Sequence, residues 1–364
     1  LTSLNFTGAG VTATNTGGAV TVAVTGGGLT GFTAAESTAA PNDTVYVDSL
    51  TASAASTNAD VAFVAKGTGA TLAQVPDSTA TGGNKRGTHA TDWQKSRTAA
   101  TQVASGNYSV IAGGQNNTAS GFASAVVNGL GNLATGSYAA VLGGNGGFAT
   151  DNGAVVLGGA NNIASGSRSA CIAGDSHSAS QTSAVVLGGS GNTANAINSA
   201  VVGGAQGTAR SIVGNFVSPA SNSPITSSAG RQQLATLLLG RQTTNATATV
   251  LTSDSNAAST TNQVILPNNS AYYVKGSVIA TVTGGGNTKS WDFIATIKRG
   301  ANAAATSIVG AVILNTIAQD AGAATWVVAV TADTTNGGLA VTVTGQAATT
   351  IRWVAKLEST EVTY

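Results

Sequence analysis

Ala149–Ile163 reads ATDNGAVVLGGANNI, and Ala179–Thr193, two units further on, reads ASQTSAVVLGGSGNT. The two superimpose at a period of fifteen residues, and that period governs the middle of the chain. From Ala104 an alanine returns at Ala119, Ala134, Ala149, Ala164, Ala179, Ala194 and Ala209. Ten residues into each unit stands a glycine: Gly114, Gly129, Gly144, Gly159, Gly174, Gly189 and Gly204. Seven units without an insertion predict a solenoid, in which each unit is one turn that buries its apolar face only by stacking on its neighbours.

Just ahead of the glycine lies a short apolar run such as Val155-Val156-Leu157, β-branched and bounded by Gly, Asn and Ser, and so read as a strand. Neighbouring side chains of a strand point to opposite faces. Val155 and Leu157 therefore face one way and Val156 the other, yet all three are apolar, which marks a strand covered on both faces. One cover is the inside of the coil and the other is a neighbouring chain. The middle row, Ile111, Val126, Val141, Val156, Cys171, Val186 and Val201, packs the shaft. Whether that row is the interior or the intersubunit face is left open by the pattern. Glycine and asparagine at the corners suit a backbone that needs positive φ at the same place in every turn. Seven turns at the inter-strand spacing make a rod of about 34 Å.

The flanks differ in kind. Residues 1–60 hold a hairpin, with runs Val11–Ala13 and Val20–Val24 across Asn15–Gly18, then a Thr/Ser/Ala/Gly-rich linker with one strand near Thr44–Val47. Residues 61–103 form a polar junction carrying Lys66, Lys85, Arg86, Lys95 and Arg97, with Asp77 and Asp92 as expected ion-pair partners. Residues 104–217 are the shaft. In 218–246, Pro219 and Pro224 mark a neck, with Arg231–Arg241 readable as a short helix or a strand. Residues 247–364 alternate as antiparallel strands around Trp291, Trp326 and Trp353, which predicts a β-sandwich or jelly-roll-like knob with Trp353 on its buried face.

Units such as Ala149–Ile163 and Ala179–Thr193 resemble the repeats of trimeric autotransporter adhesin heads, which form a left-handed parallel β-roll of three chains around one axis. The same units recur in tail fibres of tailed bacteriophages, and the flanks favour these. Asp77–Gly121, with TATGGNKRGTHATDWQKSRTAATQVASGNYSVIAGGQNNTASG, is similar to the segment leading into phage fibre β-rolls, and Leu4–Val24 and Ile351–Tyr364 are similar to phage fibre ends. The resemblance implies an all-β homotrimeric fibre of a virion. Its N-terminus would meet other phage virion proteins, and it would bind a host-surface receptor, a glycan or a protein, during adsorption. A capsid head fibre or decoration protein is the alternative; a tailspike glycan hydrolase and a bacterial trimeric adhesin rank below it.

Composition bears on chemistry. The 364 residues include 48 Gly, 42% hydrophobic residues, only 8% charged and 5% aromatic, against the roughly 25% charged of an ordinary domain. A net charge of +1 supplies no field for nucleic acid or an anionic membrane. No apolar run reaches a membrane span, and Leu1–Asn5 opens no basic signal peptide. Methionine is absent throughout, so the chain is expected to start after processing or within a longer polypeptide.

A non-enzymatic protein without cofactor or metal is expected. Glycosidases bring two carboxylates together on the sugar, whereas the rod offers only Asp151 and Asp175, at different places in their units. A pair across a subunit boundary stays open. Gly143–Asp151 looks like half of a calcium-binding repeat, but its Asp is missing from the other units. Cys171 reads as a small buried hydrophobe, His177 as a corner substitution where most units carry Asn or Gly, and His89, in the basic junction, as a residue that hydrogen-bonds across the trimer axis. Tyr108, Phe122 and Tyr138, each in the fourth or fifth place of its unit, are candidate receptor contacts as an outward aromatic ladder, or else pack against the adjoining corner.

Overall fold

A computed structural model describes residues 62–364 other than 223 and 227, together with residue 58 and the backbones of four strands before it. The chain divides into two compact units, Leu1–Val64 and Ala65–Tyr364. In the first, Val11–Thr16 pairs antiparallel with Ala19–Val24, the hairpin that the alternation predicts. A second pair joins Phe32–Ser37 to Val47–Ala52 where the sequence offered a single strand; Thr44, Tyr46 and the residue between them lie outside the described residues.

The second unit opens as a parallel β-solenoid. One ladder takes Ala125-Val126, Ala140-Val141, Val155-Val156, Ala170-Cys171, Val185-Val186 and Ala200-Val201 in unbroken register. A second stacks Thr118-Ala119, Leu133-Ala134, Phe148-Ala149, Ile163-Ala164, Ser178-Ala179 and Thr193-Ala194. A third line of single bridges runs from Gln115 through Leu130, Asn145, Ala160, Asp175 and Ser190 to Ala205. The first ladder begins before the repeats: Thr71 pairs Thr91 and Thr91 pairs Val110, so the first two turns are several residues longer than the rest.

The middle row settles inside the coil. Ile111, Val126, Val141, Cys171, Val186 and Val201 are fully buried, Val156 all but so, and they face the equally buried alanines from Ala104 to Ala209. Each turn sets one residue of this row, valine except at Ile111 and Cys171, against one alanine, with a further buried Ser or Ala such as Ser124 or Ala154, and the small space between them is why the alanine recurs without exception. Val155 is half-buried and Leu157 exposed, on the opposite face.

Each end of this thin core is closed. At the start, Arg86 Nε meets Asp92 Oδ2 at 2.7 Å and Arg97 Nη2 approaches the same oxygen at 3.9 Å, all three side chains inaccessible. At the far end, Phe216–Pro219 adds in parallel to Ala200-Val201, and Gln232–Thr243 then adds antiparallel. The sheet continues through Ile351–Thr363, Ser270–Val282 and Thr288–Arg299, so the shaft's open edge is covered by paired backbone. Arg231–Arg241 is therefore mostly strand, inside the C-terminal sheet instead of a neck. Thr306–Ile308 and Ile313–Gln319 follow as two separate short strands, both paired with Thr288–Arg299.

A smaller antiparallel sheet of Thr249-Val250, Val264-Ile265, Val327–Asp333 and Gly338–Thr344 contributes to the same apolar cluster as the large one. Trp353 is buried between Trp291, stacked at 5.7 Å, and Trp326 at 5.8 Å, and its indole donates to Thr243 Oγ1 at 2.9 Å.

The corner glycines test this account. Gly159 has φ of +85°, and a Cβ there would strike the carbonyl of Gly174 in the next turn, whereas a Cβ on Gly158 meets nothing within 4 Å. Gly159→Ala is expected to destabilise by at least about 2 kcal/mol, combining left-handed strain with a backbone clash. Gly158→Ala should stay within about 0.5 kcal/mol. Thermal melts of the two variants, one residue apart, measure the difference.

Candidate receptor-contact surface of the shaft

Each turn bends between its two ladders at a corner whose fifth residue is left-handed. His89, Tyr108, Ala123, Tyr138, Gly153, Arg168, Ser183 and Asn198 all have φ between 51° and 63°. The amide of each corner reaches back one turn, as Tyr108 N does to Thr88 O at 2.8 Å and Tyr138 N to Phe122 O at 2.8 Å. Stacked corners put successive side chains in a file along the rod.

That file is aromatic at its start. His89 stacks on Tyr108 at 5.3 Å, Tyr108 meets Phe122 edge-on at 5.5 Å, and Phe122 meets Tyr138 edge-on at 5.6 Å. Tyr108 is 52% exposed, Phe122 44% and Tyr138 60%. The rings touch one another along the file and remain open to solvent. The sequence reading gave His89 a hydrogen bond across the trimer axis and kept it out of the aromatic ladder, because it precedes the repeats and its alignment with Tyr108 depends on the long turn between Thr91 and Val110. Glycine would occupy the left-handed corner without strain, as Gly153 does, while a tyrosine there costs about 1–2 kcal/mol. Tyr108 and Tyr138 are thus exposed rings on left-handed backbone, whereas Phe122 precedes the left-handed Ala123.

The other candidates are placed as follows. Cys171 is buried, its thiol pushed up to about 11 by burial, and Sγ lies 3.3 Å from Ile163 O. Asp151 stands in the corner after Phe148-Ala149, and Asp175 on the single-bridge line between Ala160 and Ser190, so one chain holds them at separate corners. Among the described residues no three His, Cys, Asp or Glu side chains converge. In the junction, Asp92 takes both Arg86 and Arg97 within the same chain, whereas Asp77 accepts from Thr79 and Gly82 amides.

A second exposed feature follows the first ladder's outer face. Val127, Leu142, Leu157 and Leu187 are 40–47% exposed, with Ile172 half-buried between them, and exposed Phe216, Leu234 and Leu238 stand beyond them on the C-terminal strands, Phe216 beside Ala200 and Leu234 beside Ser218. Side chains of this size on one side of the sheet form an apolar face of the kind that marks an interaction surface.

No family model and no curated protein matches the chain. Among solved structures it is similar to the tailspike protein of Acinetobacter phage vB_ApiP_P1, at 11% identity and a TM-score of 0.20 over 77% of this chain and 55% of that one. It is similar also to the tailspike of Acinetobacter baumannii phage AM24, at 9% identity and a TM-score of 0.20 over 76% of this chain and 49% of that one. The chain thus spans about half the length of these tailspikes.

Inside the shaft, a buried file of amides links the turns. Asn117 Oδ1 accepts from Asn132 N at 2.9 Å, Asn132 Oδ1 from Gly147 N at 2.8 Å, and Asn162 Oδ1 from His177 N at 3.0 Å. Each Asn Nδ2 also donates to carbonyls of its own turn and the next, as Asn162 does to Gly158 and Gly174. His177 belongs to this file and is 1% exposed, so it is an interior rung and not an outward corner residue. Its Nδ1 accepts from Asn192 N at 3.1 Å, which leaves the proton on Nε2, on the side of the Ala173 and Gly189 carbonyls but without a well-formed hydrogen bond. Burial pulls the imidazole below its usual value of 6.5, outweighing the Ala173 carbonyl, the Asp175 carboxylate and the Gly189 carbonyl, which favour the charged form.

A base whose folded pKa is depressed binds protons more readily when unfolded, so its contribution is present above about 6.5 and is lost as pH falls below it. The melting temperature should fall between pH 7.5 and pH 5. His177→Asn restores the Nδ2 donors of the other rungs and should flatten that fall; an equal fall in both proteins would assign the pH dependence elsewhere.

Proposed function

We propose that the chain is a fibre protein of a tailed-phage virion, a homotrimer without enzymatic activity that binds a glycan receptor on the host surface during adsorption. The observation that carries this reading is the exposed His89–Tyr108–Phe122–Tyr138 file. Pyranose rings present apolar C–H faces, and flat rings in a row along a stiff rod offer successive sugars of a polymer a place to stack. The resemblance of the units and of Asp77–Gly121 to phage fibres supports the virion assignment. The N-terminal unit is the attachment end in this reading, and the C-terminal module a β-sandwich knob.

The homotrimer rests on the outer apolar stripe. A coil that sets one middle-row residue against one alanine per turn has little core of its own, and burying Val127, Leu142, Leu157 and Leu187 at about 25 cal/mol per Å² supplies what it lacks. Three chains about one axis also present three copies of each receptor contact, so individually weak sugar contacts gain avidity.

Two measurements check the proposal. Adsorption of the full chain to a panel of bacterial isolates should drop at least about tenfold in the Tyr108→Ala, Phe122→Ala, Tyr138→Ala triple variant, equivalent to ~1.4 kcal/mol, while its melting temperature holds. Unchanged adsorption would remove the file from receptor binding. Light scattering should give a three-chain mass, reduced by Leu142→Asp with Leu157→Asp; a folded wild-type monomer would sink the fibre.

A further inference from the structure

A cleft of about 430 Å³ lies where the last turns of the shaft meet the C-terminal module. Asn195, Thr208 and Ser211 line it from the shaft corners, and Thr260, Thr335 and Asn336 from the module. Pro267 and Ile265 add apolar surface, and two arginines, Arg210 and Arg299, complete the wall.

The arginines differ in how their charge is met. Arg210 Nε pairs with Glu361 Oε2 at 2.9 Å, Nη2 donates to Gly230 O, and the guanidinium lies 5.7 Å from the Tyr272 ring centre. Arg299 donates from Nη1 to Leu266 O at 2.6 Å and to Gly337 O at 3.5 Å; its Nε is buried, and no carboxylate lies within ion-pair distance of the guanidinium among the described residues. The neighbouring carboxylates are committed: Glu361 to Arg210, Gln233 and Ser359, and Asp333 to Gln263, Asn336 and Thr335. An unanswered guanidinium in the wall of a cleft is what a bound anion would satisfy.

We infer that this cleft binds a carboxylate-bearing saccharide, a uronate or sialate unit, with the carboxylate on Arg299. The planar guanidinium matches a planar carboxylate, the hydroxyl and amide rim matches sugar hydroxyls, and the Pro267 side takes a ring face. The inference rests on the reading of the chain as a glycan-binding fibre and names the class of sugar that it would select. A neutral polymer leaves Arg299 unanswered and gains little there.

Calorimetry on the full chain with oligomers of galacturonate, glucuronate and N-acetylneuraminate, each beside its carboxyl-reduced counterpart, tests it. At least one acidic oligomer should bind and its reduced form should not, and Arg299→Gln should weaken binding at least about tenfold. Because Arg299 also holds the Leu266 carbonyl, a second variant is needed. Thr335→Asp, on the exposed rim, should keep the melting temperature and weaken binding by charge repulsion. Binding of none of the three acids, equal binding of reduced forms, or binding untouched by both variants overturns the inference. Adsorption to cells, measured on the same preparations, separates the two proposals: adsorption that survives Arg299→Gln leaves the fibre standing and removes the cleft from it.

Discussion

Everything in the shaft depends on each coil returning to the same place after fifteen residues. Two parallel ladders and a line of single bridges impose that return on the backbone, and the buried amides impose it again from inside. An Asn side chain such as Asn132 accepts from the next turn while donating to carbonyls of its own and the following one, so a slip of one residue would strand several buried polar groups at once. The corner glycines belong to the same constraint, because the carbonyl of the following turn occupies the volume that a Cβ would need. The period is thus held by sterics, by backbone pairing and by side-chain amides together, which is why no unit in the block carries an insertion.

This arrangement fixes the inside and leaves the outside unfinished. With one middle-row residue facing an alanine in each turn, the coil cannot bury the larger residues of its strands, and these stand on the outer face as Val127, Leu142, Leu157 and Leu187. The shaft sheet passes without a break into the C-terminal sheet, where Phe216, beside Ala200, and Leu234 and Leu238 extend the exposed apolar side. There it meets a more polar surface carrying Lys275, Lys356 and Glu358. An apolar shaft face that ends in charge gives the surface a direction along the rod and, in an assembly, a register.

What could be read in the sequence follows from what repeats. The fifteen-residue period exposes the strands, the corners and the alternation of Val155, Val156 and Leu157, and the structure decides which face is interior: Val156 inside, Leu157 outside. The aromatic file was legible at Tyr108, Phe122 and Tyr138 because these lie within the repeats. His89 was not, since its place on the same corner is set by a longer turn with no period to reveal it. His177 was legible as a stand-in for Asn but not as a buried one, because a corner position does not say whether its side chain points in or out. Arg231–Arg241 was ambiguous for a related reason: its leucines suit a helix or a strand, and pairing with Ile351–Thr363, more than a hundred residues away, decides it. The cleft holding Arg299 joins four separate segments of the chain, and no local pattern announces such a meeting.

Charge is scarce in this chain, and much of it is found where the repeat stops. Arg86 and Arg97 share Asp92 at the first turns and donate to free carbonyls, Arg86 to Gly82 and Asn84, Arg97 to Thr81, Gln94 and Gln102. Arg210, paired with Glu361, does the same for Gly230 at the last turn. A solenoid end leaves backbone groups without the next coil, and a guanidinium with five donors on a fixed plane can answer several carbonyls at once. Burying such cations is unfavourable without a counter-charge, and at both ends one carboxylate is buried with them. Arg299 uses its guanidinium in the same way on Leu266 but has no carboxylate of its own. Lys289, buried and donating to the Ala324 and Trp326 carbonyls, likewise has no carboxylate, so what sets Arg299 apart is its place in the wall of a cleft, where the anion inferred above would complete the pattern of Arg86, Arg97 and Arg210.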